Sequence, residues 1–96
     1  MVTIAQNSDS RLSFVVRDED DSVVTSATCT VTLINPDGEI VKNLEPTVYA
    51  SGRHELVIAK EWLQSAGVTK MGVYRVNILA SYSGVQTQQS YYFEVR

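Results

Sequence analysis

Gly72-Val73-Tyr74-Arg75-Val76-Asn77-Ile78-Leu79-Ala80-Ser81-Tyr82, then Ser83-Gly84, then Val85-Gln86-Thr87-Gln88-Gln89-Ser90-Tyr91-Tyr92-Phe93-Glu94-Val95 is the stretch that decides the fold. Tyr74, Val76, Ile78, Ala80 and Tyr82 alternate with other residues, the period of a half-buried strand. Ser83-Gly84 turns the chain, and on the return Tyr91, Phe93 and Val95 share one face. Gln86 to Ser90 is polar on both faces, so this part of the hairpin is expected to project beyond the core. Two long antiparallel strands closing the chain point to an all-β sandwich.

Working back from this hairpin, the same period recurs. Leu12, Phe14 and Val16 alternate with Ser13, Val15 and Arg17, and Ala27, Cys29, Val31 and Leu33 are set against Thr28, Thr30 and Thr32. Threonine suits the wet face of a strand because its β-branch fits the pleat and its hydroxyl tolerates water. Asn35-Pro36-Asp37-Gly38 reads as a tight turn, with proline presetting φ and glycine accepting a positive one. A short strand begins at Ile40-Val41 and fades by Glu45-Pro46. Thr47-Val48-Tyr49 and His54 to Ile58 flank Ser51-Gly52 as a second hairpin, and Val2 to Gln6 forms a first short strand.

Ala59 to Ala66 is the only helix candidate. It places Trp62, Leu63 and Ala66 on one face, with Gly67 where a helix ends and Trp62 as the plug of the sandwich. The expectation is one domain over residues 1–96: an all-β, immunoglobulin-like β-sandwich of about seven strands with one short helix between the last strands.

Composition narrows the function. The 96 residues carry a formal charge of -3, and their eight Lys and Arg are scattered, which argues against nucleic acid or an anionic membrane as partner. Cys29 is the only cysteine, so an internal disulfide is impossible and the disulfide-bonded extracellular domain type is disfavoured. Met1 to Ala5 has neither a basic start nor an apolar run, so no signal peptide is expected, and synthesis in a cytoplasm follows.

Each cluster with chemical potential has a plain structural reading. Asp18-Glu19-Asp20-Asp21 offers several oxygens for calcium but lacks the alternation and glycine of a dedicated loop, and reads as a solvated turn. His54 is the only histidine, which excludes a multi-histidine metal site. A Cys29–His54 nucleophilic pair is set against a core thiol and an edge-strand histidine, and the latter is preferred. Without a phosphate loop or nucleophile elbow, no catalytic residue, metal or cofactor is assigned, and the chain is read as non-enzymatic.

The tyrosines carry more. Tyr74, just after Gly72, has the place of a tyrosine corner whose hydroxyl bonds nearby backbone. Tyr82, Tyr91 and Tyr92 are expected to gather around Gln86 to Gln89, a contact composition that offers area at low entropy cost. Cross-strand aromatic packing is the alternative. The candidate partner-binding residues are Tyr82, Gln86, Gln88 and Tyr92, with Val2 and Ile4 on a terminal strand that can add to a neighbour's sheet.

Together Leu12-x-Phe14-x-Val16, Ala27-x-Cys29-x-Val31-x-Leu33, Asn35-Pro36-Asp37-Gly38, Gly52-x-x-Glu55-Leu56-x-Ile58, Trp62-Leu63, Gly72-x-Tyr74 and Phe93-x-Val95 resemble the small immunoglobulin-like domains of tailed-bacteriophage virions. These include the N-terminal domain of baseplate upper proteins and small head, neck or decoration proteins. The resemblance implies a structural protein that docks, in many copies, on capsid, neck or baseplate proteins of a virion. Baseplate domains usually start a longer chain, whereas this one stops after its final strand and has an acidic loop at Asp18 to Asp21. That departure favours capsid decoration or cement. The alternative is a carbohydrate-binding or adhesin-type immunoglobulin-like module with tyrosines as sugar platforms.

Overall fold

A computed structural model describes residues 2–4, 9–65 and 68–96. Its strands are β1 (Val2–Ile4), β2 (Ser10–Val15), β3 (Thr28–Ile34), β4 (Ile40–Leu44), β5 (Thr47–Val48), β6 (Arg53–Ile58), β7 (Gln64–Ser65), β8 (Val68–Thr69), β9 (Gly72–Tyr82) and β10 (Val85–Val95). One sheet has the order β1-β10-β9-β3-β4, the other β2-β6-β5, and β7-β8 is a separate two-stranded ribbon. Neighbours run antiparallel except for β1, which lies parallel to the end of β10 with Val2 opposite Phe93 and Ile4 opposite Val95. The fold is thus an all-β sandwich of two sheets, as the alternating patterns require.

Burial follows those patterns. Cys29, Val31 and Leu33 of β3 face Leu56 and Ile58 of β6, and Val76, Ile78, Ala80, Phe93 and Val95 complete the core. Thr28 and Thr30 stay exposed on the outer face. At about 3.4 Å per residue the eleven-residue strands β9 and β10 run almost the full 42 Å length of the molecule. Ser83 (φ 48°) and Gly84 (φ 77°) form a two-residue turn with both φ values positive, the mirror-type turn that matches strand twist.

The opposite end of this hairpin is tied down. The side-chain oxygen of Asn35 accepts from Asp37 N and Glu39 N at 3.0 and 2.9 Å, which fixes the turn read from the sequence. Pro36 then packs against Gly72, where a Cβ would come within 3.0 Å of the proline ring, and Lys70 pairs with Asp37. Gly72 adopts φ +130°, so glycine is needed there for both space and backbone.

The helix expected over Ala59–Ala66 is reduced to a 3-10 turn, Lys60–Leu63, after which Gln64–Ser65 enters a strand; Ala66 and Gly67 lie outside the described residues. Four residues cannot repay helix nucleation, and the turn is held instead by Asp9, whose carboxylate accepts from Lys60 N at 2.8 Å. Leu63, not Trp62, is the plug: Leu63 is 2% exposed, while Trp62 lies half-buried with Lys42 over its ring. The first strand ends at Ile4, and Gln6 lies outside the described residues.

Candidate docking surface

Val85 to Tyr92 are eight consecutive exposed residues on an otherwise half-buried hairpin, and none is charged. Strand alternation sends Gln86, Gln88, Ser90 and Tyr92 to the outer face of the five-stranded sheet and Val85, Thr87, Gln89 and Tyr91 to the inner one. The outer face is organised in rows by the register. Gln86, Ser81 and Thr28 form one, Gln88, Leu79 and Thr30 the next, and Ser90, Asn77, Thr32 and Asn43 a third. Ser90 Oγ donates to Asn77 Oδ1 at 2.7 Å and Thr32 Oγ1 to Asn43 Oδ1 at 3.1 Å. A shallow depression of about 320 Å³ lies among Thr30, Thr32, Asn77, Leu79 and Gln88.

The inner face of the tip overhangs the end of β2. Thr87 and Gln89 line a small cleft of about 70 Å³ with Phe14, Val16 and Arg17, and Tyr91 Oη donates to Gln89 Oε1 at 2.9 Å. On β9 the opposite residues Ile78 and Ala80 are buried in the core, whereas the inner-face residues of β10 before Phe93 stay exposed.

Of the sequence-derived contact residues, Gln86, Gln88 and Tyr92 come together on one face and are exposed. Tyr82 does not join them: it lies on the inner face, partly buried against the core. The expected tyrosine cluster is also spread out, because Tyr82 pairs with Val85 at the turn while Tyr91 and Tyr92 sit opposite Val76 and Arg75. Six residues of strand, about 20 Å, separate Gln86 from Tyr92. Val2 and Ile4 belong to the edge strand β1, held on one side by Phe93–Val95.

No family model, curated protein or solved structure matches the chain. Its own geometry and side-chain chemistry therefore have to speak for its function.

The other sequence candidates are accounted for by local structure. Asp18 turns its carboxylate on its own loop: Oδ1 accepts from Asp20 N and Ser22 N, both at 3.0 Å, and Arg17 donates to Asp21 O at 2.9 Å. Among the described residues no three His, Cys, Asp or Glu side chains lie close enough to hold a metal ion.

Cys29 and His54 are brought together, with Sγ 3.8 Å from Nε2. His54 is not an edge-strand residue: β6 is the middle strand of its sheet, and the ring is 0% exposed, stacked on Phe14 at 5.1 Å. Its Nδ1 has no hydrogen-bond partner among the described residues. Burial pushes the Cys29 thiol up and the His54 imidazolium down, so the ordinary state is a neutral thiol beside a neutral ring. That is the reverse of an activated thiolate–imidazolium pair. The sequence signal for this burial was the placement of His54 two residues before Leu56 and four before Ile58, on the inward phase of the strand.

Tyr74 fulfils the corner expected of it. Its hydroxyl, 1% exposed as a residue, lies 2.7 Å from Lys70 O and 3.1 Å from Leu63 O, and its ring stacks on Phe93. Burial, and secondarily the Asp37 carboxylate, raise its pKa and keep it a donor.

Proposed function

We propose that this chain is a non-enzymatic structural protein of a tailed-bacteriophage virion that docks on other virion proteins. Capsid decoration or cement is preferred over a neck or baseplate place. The observation that carries the docking reading is the uncharged, two-faced exposure of Val85 to Tyr92 on a hairpin anchored firmly at its other end. A side chain set of Gln, Thr, Ser and Tyr offers a partner hydrogen bonds and area with little desolvation of charge. The strand order β1-β10-β9-β3-β4 over β2-β6-β5, with the Tyr74 hydroxyl bonded four residues upstream, supports an immunoglobulin-like architecture of the kind the sequence resembles.

The test is mass spectrometry of purified particles together with rebinding of the free protein to particles that lack it. Recovery in stoichiometric amounts, and loss of rebinding in a Gln86→Lys/Gln88→Lys variant, is the expected result. Absence from intact particles overturns the virion assignment.

The carbohydrate-binding reading rests on the uncharged depression at Leu79 and Gln88. It requires saturable oligosaccharide binding by the free protein that is lost in Tyr92→Ala. Tyr82, half-buried on the other face, is no sugar platform in this arrangement.

A further inference from the structure

We infer that the outer edge of β10, from Gln86 to Tyr92, pairs antiparallel with the same edge of a second copy of this chain. The inference deepens the docking reading of the hairpin by naming an occupant for its backbone edge.

β9 covers one side of β10 along its whole length, but among the described residues β1 covers the other side only at Phe93–Val95. From Val85 to Tyr92 no described strand lies alongside. The two-residue turn makes Tyr82 and Val85 the first hydrogen-bonded pair of the hairpin. Alternation then directs the N–H and C=O of the odd-numbered residues at β9 and those of Gln86, Gln88, Ser90 and Tyr92 away from it, toward the open edge.

Folded proteins guard such edges with charge, proline, bulges or shortness. The remaining edges of this sandwich show those devices. β4 has Lys42 at its centre, a register shift at Leu33/Ile34 and Glu45-Pro46 at its end. β5 has two residues and follows Pro46, β1 has three, and β2 carries Arg11 paired with Glu55. β10 has none of them across eight residues, and its register with β9 is unbroken.

The occupant follows from the same features. An edge without charge opposes no like charges when it meets itself, although each chain carries -3 overall. The open segment is bounded by the turn at one end and by β1 at the other. A two-fold axis normal to the sheet must pair residues of the same face. Centring it on Gln89 places Gln86 opposite Tyr92, Gln88 opposite Ser90 and Thr87 opposite Tyr91. All four outward residues then bond in both copies, whereas an axis at Gln88 would send Tyr92 onto the turn. Because the far edge of the sheet at β4 is guarded, association closes at two copies and makes one ten-stranded sheet.

Sedimentation equilibrium of the purified chain over a wide concentration range, combined with three variants, tests the inference. The wild type should show a reversible monomer–dimer equilibrium. Ser90→Pro removes an outward N–H while sparing the ladder to β9, and should weaken the dimer at least about tenfold with unchanged circular dichroism. Gln88→Lys, which sets two ammonium groups across the axis, should do the same and covers the case that the proline variant misfolds. Gln89→Cys should cross-link across the axis on mild oxidation, since facing residues of a non-hydrogen-bonded pair have disulfide geometry.

A wild type that stays monomeric throughout, or a dimer that resists both Ser90→Pro and Gln88→Lys, overturns it. A monomeric chain whose binding to particles is lost in Ser90→Pro would assign the edge to another protein's strand and also overturn it. A dimer found in solution with no protein in particles would leave this edge pairing standing and remove the virion role instead.

Discussion

At the base of the β9–β10 hairpin the core is closed by Tyr74, whose hydroxyl has two backbone carbonyls within reach and whose ring lies on Phe93. Toward the tip the buried polar group is His54, whose Nδ1 has no hydrogen-bond partner among the described residues and whose Nε2 lies 3.8 Å from the Cys29 sulfur. Beyond Tyr74 the turn at Pro36 clasps Gly72, whereas at the tip end β10 runs from Val85 to Tyr92 with both faces exposed and, among the described residues, no strand on its outer edge. A buried polar group with its partners adds to stability, whereas a buried one without a partner carries a desolvation cost.

The largest expected contrast comes from truncation. Tyr74→Ala should destabilise the protein by about 3–5 kcal/mol in urea unfolding, through the cavity and the donor lost to Lys70 O, since Leu63 O still accepts from Lys70 N. Tyr92→Ala at the exposed end should stay within about 0.5 kcal/mol of wild type. Comparable losses at both would remove the distinction between base and tip. Tyr74→Phe isolates the hydroxyl and should cost about 1–3 kcal/mol, since it leaves the ring stack in place.

The pH dependence probes the other end. The pKa of His54 is lowered by burial, so the unfolded chain binds a proton that the folded one does not. Stability therefore falls as pH drops below the unfolded value of about 6.5 and keeps falling until the folded pKa is reached. The urea midpoint should decline over that range in the wild type and decline less in His54→Leu; identical slopes would contradict a neutral buried ring. The smallest effect belongs to Gln88→Lys, which should leave the monomer's unfolding midpoint unchanged while altering its association.

Much of this contrast is legible in the residues. The alternation of Val76, Ile78 and Ala80 gave the core face, the Asn35-Pro36-Asp37-Gly38 and Ser83-Gly84 turns gave the hairpin ends, and the run of Gln and Thr marked the exposed tip. The 3-10 turn was harder to see because its stabilising carboxylate, Asp9, is 51 residues away in sequence. Tyr82 lies on the opposite face from Gln86, Gln88 and Tyr92, as alternation requires, and its partial burial is set by how far the core extends along that face. The meeting of Cys29 and His54 depends on packing between sheets, which no local pattern encodes. The open edge of β10 depends on how far β1 reaches, and three residues of pairing leave no trace in composition.

Amide hydrogen exchange along β10 in dilute protein tests that open edge most directly. The amides of Gln86, Gln88, Ser90 and Tyr92 should exchange fast and those of Gln89 and Tyr91 slowly, with the fast set becoming protected as concentration rises. Uniform protection from Gln86 to Tyr92 in the dilute monomer would mean that the edge is already covered, and would contradict the account.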